Sequence, residues 1–203
     1  MAARWQTLVR RALSLLPAAL ACMGPAPRAG LRREEVFITT KLWPPDAWGY
    51  EPAKAALRAS LERLGTSYVD LALLHAPGPV ESRGDTWRAL EDCAAAGLVR
   101  SLGVSNFGVA QLQRLAAGAR LAPAVNQLEL HPWRRWPAEE AYCRKRGLAL
   151  QAYSPLACGE RLGGATLAEV ATRVGRSPAQ ARGQGQGRSP RAAGAAACCM
   201  PLE

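Results

Sequence analysis

The sequence predicts an α/β fold: a partial (β/α)8 barrel of the TIM type, with about five parallel strands, intervening helices and disordered ends. Three observations predict it. Apolar strand-like runs alternate with amphipathic helical patterns at intervals of about 23 to 33 residues. The strands finish on polar or reactive residues, namely Lys41, His75, Ser105 with Asn106, Gln127 with Glu129 and His131, and Tyr153 with Ser154. A barrel gathers such strand ends at one face. Finally, no G-x-G-x-x-G occurs, although an open dinucleotide-binding sheet would want one after its first strand.

Each element has its own warrant. Residues 35–42 (EVFITTKL) read as a strand, and Pro52 to Leu64 as a helix with Leu57, Leu61 and Leu64 on one face and Gly65 as its stop. Tyr68 to His75 is a nearly continuous apolar run, the pattern of a strand buried on both faces. Asp85 to Ala96 forms a helix ending at Gly97. The run from Gly97 to Phe107 then delivers Ser105 and Asn106 to an exposed rim, and Asn106 is placed to cap the helix carrying Leu112 and Leu115. Pro123 to Leu130 is a fourth strand, Glu139 to Arg146 a helix stopped by Gly147, and Leu148 to Ser154 a fifth strand. Thr166 to Val174 is amphipathic on Leu167, Val170 and Val174, and Gly175 ends it; Ser177 and Pro178 open a further helix.

The organisation expected is a basic leader over 1–30, a partial barrel over 31–180 and a low-complexity tail over 181–203. The 203 residues, 49% hydrophobic and 21% charged, suffice for one globular domain with a core. A formal charge of +10 invites a nucleic-acid reading, but the charge is terminal. Residues 1–33 hold six Arg and no acid, and 181–203 hold three Arg and one Glu, so the body between them is close to neutral. No nucleic-acid partner is expected. The six cysteines show neither a C-x-x-C pair nor ligand spacing with the two histidines, so no metal site is expected and a reducing compartment is the default. No apolar run approaches the roughly 20 residues that span a bilayer. The leader fits a transit peptide, a marginal secretory signal or a segment with no sorting role. A cytoplasmic location is therefore expected, with a mitochondrion or plastid as the alternative. From Gly175 to Pro201 there is no Leu, Ile, Val, Phe, Tyr or Trp, which predicts a disordered tail.

Five blocks make the chain resemble the aldo-keto reductase family: residues 37–43 (FITTKLW), 69–77 (VDLALLHAP), 99–107 (VRSLGVSNF), 124–132 (AVNQLELHP) and 152–156 (AYSPL). They occur in the family's order. The resemblance implies a (β/α)8 barrel that reduces aldehydes or ketones with NADPH. It implies that Lys41 and His75 are two of four catalytic residues, and that Trp43 lies at the substrate side. Ser105, Asn106 and Gln127 would hold the nicotinamide carboxamide, Tyr153 would stack on the ring, and the backbone of Ser154, Pro155 and Leu156 would lie along the pyrophosphate.

The chemistry wants such residues. Hydride arriving at a carbonyl carbon leaves negative charge on oxygen, so a hydrogen-bond donor and a proton source must sit there. A phenol with a reference pKa of about 10 becomes a readier acid beside an ammonium such as Lys41. A neutral His75 would orient the carbonyl, and amide side chains match a carboxamide's donors and acceptors. The sequence also departs from the pattern. The family's other two catalytic residues, an Asp and the proton-donating Tyr, belong before the Lys41 block, and upstream of Lys41 there is neither Asp nor Tyr. Two expectations follow: an NADPH-dependent carbonyl reductase, or a catalytically inactive partial barrel whose open sheet edges pair with other chains.

Overall fold

The computed structural model describes residues 32–43, 47–157 and 163–181. The leader (1–30) and the low-complexity tail from 182 onward lie outside them. Among the described residues there are five strands, β1 (Thr39–Leu42), β2 (Val69–Leu74), β3 (Val99–Ser105), β4 (Val125–Glu129) and β5 (Ala149–Tyr153). They alternate with α1 (Tyr50–Leu64), α2 (Val80–Ala95), α3 (Val109–Gly118), α4 (Pro137–Arg146) and α5 (Ala165–Arg173). Strand then helix, five times over, is the partial (β/α)8 arrangement expected. Among the described residues no helix is long and apolar enough to cross a membrane.

The described residues fall into two compact units. The larger runs from 32 to Gln127 and adds Ala138–Leu148; the smaller comprises Leu128–Pro137 and the described residues from Ala149 onward. In the larger unit the strands are parallel and in chain order, with Lys41 beside Leu73, Leu73 beside Gly103, and Ser105 beside Gln127. Among the described residues β1 is paired with β2 on a single side. Every residue of β2 is buried, as its nearly continuous apolar run requires, including Asp70, which is paired with Arg33 and Arg100. Trp87, Leu90, Leu57, Leu73, Val104 and Leu112 form the core between sheet and helices.

Three helix ends follow one rule. Gly65, Gly97 and Gly147 stand just past their helices with φ of 62°, 77° and 74°, the left-handed conformation that glycine adopts without steric penalty. In each case the next residue's N–H reaches back to a carbonyl five residues earlier: Thr66 to Leu61, Leu98 to Cys93, Leu148 to Cys143. Gly103 has a different task. A Cβ there would lie 2.6 Å from the Leu73 side chain and 2.9 Å from the Val125 carbonyl oxygen, so only glycine lets β3 approach both neighbours.

Several expectations are corrected. The first strand is confined to Thr39–Leu42, because Arg33–Glu35 close a 3-10 turn in which Glu35 accepts from the Arg32 N–H at 2.8 Å. Arg33 then donates to Asp70 (2.8 Å) and to the carbonyls of Val36 and Tyr68, fixing the approach to β1. Helix α2 starts at Val80 rather than Asp85, with Pro79 as its N-cap residue. Leu64 is exposed, and the buried face of α1 is Ala53, Leu57, Ser60 and Leu61, an i, i+4, i+7, i+8 stripe that small residues complete. In α5 Ala171 is the buried residue and Val174 is exposed.

Candidate active site

The larger unit brings Lys41, Trp43, His75, Ser105, Asn106 and Gln127 to the C-terminal ends of four adjacent parallel strands. His75 directly follows β2, and its N–H donates to the Leu42 carbonyl at 3.2 Å. This bond sets the imidazole beside the end of β1. The Trp43 indole, 65% exposed, meets the imidazole edge-on with ring centroids 4.0 Å apart and planes 87° apart. Burial, and secondarily the positive charge of Lys41, push the His75 pKa down to about 4. At neutral pH the imidazole is therefore uncharged, carrying one N–H donor and one acceptor nitrogen.

Ser105 and Asn106 knit the strand ends together. The Ser105 hydroxyl donates to the Gln127 carbonyl (3.0 Å), which also accepts from the Asn106 N–H (2.9 Å). Asn106 has φ 62°, and its side-chain amide donates to the His75 carbonyl (2.9 Å) and to Ser105 Oγ (3.2 Å). The cap predicted for Asn106 is thus absent: α3 begins after Gly108 without a side-chain cap, and the Asn106 amide points back to β2 instead. Ser105 and Gln127 are fully buried, and the neighbouring Asn126 donates to the Phe107 carbonyl at 2.9 Å.

Two residues that hold this rim gave no signal in the sequence. Arg83 on α2, 7% exposed, donates to the carbonyls of Pro77 and Gly78, and so pins the loop that follows His75. Trp48 lies where any Gly78 side chain would go, since a Cβ would be 2.2 Å from its ring. An arginine in a helix reads as a solvated charge; only the fold turns it inward. Tyr50 is engaged elsewhere, its hydroxyl donating to Asp92 at 2.6 Å, which holds the phenol pKa above its usual value.

Tyr153, Ser154, Pro155 and Leu156 belong to the smaller unit, where all four are partly exposed. Tyr153 closes β5, and its carbonyl accepts from the Leu130 N–H (3.4 Å) beyond β4. Ser154 has φ 48°, turning the chain sharply after the strand. In the same unit His131 is buried with Nε2 3.2 Å from Glu129 Oε1, while Arg134 donates to Glu129 Oε2 at 2.7 Å. This is the pattern of a structural histidine.

Residues 17–181 match the family model described as "Aldo/keto reductase family". The chain belongs to that family. The glyoxal reductase of Bacillus subtilis (strain 168) is 44% identical over 152 residues, covering 75% of this chain and 54% of that protein. The 9,11-endoperoxide prostaglandin H2 reductase of Trypanosoma cruzi (strain CL Brener) is 42% identical over 155 residues, with the same two coverages. The chain thus spans about half the length of the curated relatives it matches. Among solved structures, an aldo/keto reductase from Brucella melitensis superposes with a TM-score of 0.76 at 37% identity, over 84% of this chain and 65% of that one. A Bombyx mori aldo-keto reductase in complex with NADP gives 0.69 at 32% identity, over 79% and 58%.

Proposed function

We propose that the strand-end cluster of the larger unit is the carbonyl side of a nicotinamide-dependent oxidoreductase site, with NADPH as coenzyme and a small aldehyde or ketone as substrate. The observation that carries this is His75 at the strand ends, packed edge-on against Trp43 and kept uncharged at neutral pH by burial and by the charge of Lys41. A neutral imidazole can donate a hydrogen bond to a carbonyl oxygen without competing as a strong acid. Lys41 supplies positive charge where oxygen becomes negative, and Trp43 offers an exposed apolar wall to a substrate.

The polar groups suit a carboxamide: the side chains of Asn106 and Gln127 and the Ser105 hydroxyl stand at adjacent strand ends, and with the Asn106 and Ser105 donors engaged within the rim their oxygens are left as acceptors. Because the Ser105 O–H is committed to the Gln127 carbonyl, Ser105 would face a carboxamide as an acceptor. A bound nicotinamide supplies hydride; these residues fix which face of the ring meets the carbonyl. The roles of Tyr153, Ser154, Pro155 and Leu156 toward the coenzyme rest on the sequence resemblance.

A second reading, an inactive partial barrel, is favoured by one observation. The hydroxyl of Tyr50, the first tyrosine of the sequence, is bound to Asp92 and so is not offered to a carbonyl at the strand ends. Turnover separates the two. The reductase reading expects NADPH consumption with a simple aldehyde, reduced about a hundredfold or more in Lys41→Met. Coenzyme binding without any turnover, unchanged by Lys41→Met, selects the inactive reading.

A further inference from the structure

We propose that Asn106 is the positioning residue for His75, acting through the His75 main chain. The inference rests on His75 being the carbonyl-facing group, and it is built from the geometry of the rim alone. His75 is the first residue past β2, where ladder hydrogen bonds end and a carbonyl would otherwise turn to water. Its N–H is held from the β1 side by the Leu42 carbonyl. Its carbonyl is held from the β3 side by the Asn106 side-chain amide at 2.9 Å. The two main-chain polar groups of one residue are thus fixed by two different neighbouring strands.

The backbone of Asn106 makes this contact. With φ 62° it occupies the left-handed region, which Asn tolerates better than other residues with a side chain. The chain turns out of β3 there, and the amide crosses to β2 rather than continuing the strand's in-out alternation. A second amide contact, to Ser105 Oγ at 3.2 Å, fixes the rotation, and Ser105 Oγ is itself anchored on the Gln127 carbonyl. A chain of hydrogen bonds therefore runs Gln127, Ser105, Asn106, His75, across β4, β3 and β2. Side-chain hydrogen bonds to main-chain groups set an orientation as well as an energy, so shortening Asn106 releases the base on which the imidazole stands.

The test is made on the full chain without coenzyme or aldehyde, so it does not depend on activity. The chain has two histidines, so its imidazole NMR spectrum contains two sets of ring signals, with His131 as an internal control for the fold. Asn106→Gly keeps the left-handed backbone and removes the amide. At neutral pH the His75 ring signals are expected to move by more than their linewidth and broaden, while those of His131 stay in place. Unchanged His75 signals in the folded variant overturn the proposal. Should Asn106→Gly fail to fold, solvent exchange of the Asn106 side-chain amide in the unaltered chain decides. Exchange at least tenfold slower than for exposed Asn and Gln amides supports the clasp; exchange at their rate overturns it. Loss of turnover with unmoved His75 signals counts against the clasp and leaves the reductase reading intact.

Discussion

At the residue scale, His75 links structure to pH. Its ordinary value is 6.5 and its folded value about 4, so the unfolded chain binds more protons through that interval. Stability from this group is complete above about pH 6.5 and is lost as pH falls toward 4. The loss is of order 2–3 kcal/mol, and His75→Gln is expected to flatten that part of a denaturation-versus-pH curve. A variant curve that keeps the full slope would assign the acid sensitivity to other groups. The sequence marked Lys41, His75, Ser105 and Gln127 because they end apolar strands and fall in register within blocks that resemble one family; taken singly, each has an ordinary structural explanation. It could not show that Ser105 and Asn106 spend their donors on backbone carbonyls, since that depends on the register of β3 against β2 and β4.

At the element scale, the strand-helix alternation was legible because period 2, period 3.6 and glycine stops are local signals. Element starts were not. The true N-terminus of α2 follows from Pro79 and the arginine-pinned loop before it, and β1 is shortened by the Arg33–Asp70 pair. That pair belongs to a larger knot. Arg33 and Arg100 both bond the buried Asp70, and both guanidinium groups lie over the Tyr68 ring, at 3.9 and 4.2 Å from its centroid. Residues far apart in sequence make it, so no window of sequence reveals it. Within the sheet, Gly103 is a tight packing point. Gly103→Ala is expected to destabilise the chain by about 1–3 kcal/mol, because Leu73 and the Val125 backbone must move. Chemical denaturation measures it, and a loss under about 0.5 kcal/mol would show that β3 can shift freely.

At the scale of the whole molecule, family membership came from five blocks in order rather than from any one residue. It covers the fold, and the chain spans about half the length of the curated relatives it matches, so the activity is a proposal. Position and chemistry therefore have to be tested separately. The most direct measurement is titration of NADPH into the folded chain, following tryptophan emission with Trp43 beside the site. Saturable quenching is expected, weakening about tenfold in Gln127→Leu, near the contribution of one hydrogen bond, with the circular dichroism unchanged. A flat titration, or equal quenching by the folded Gln127→Leu variant, would contradict the assignment of these strand ends to a nicotinamide coenzyme.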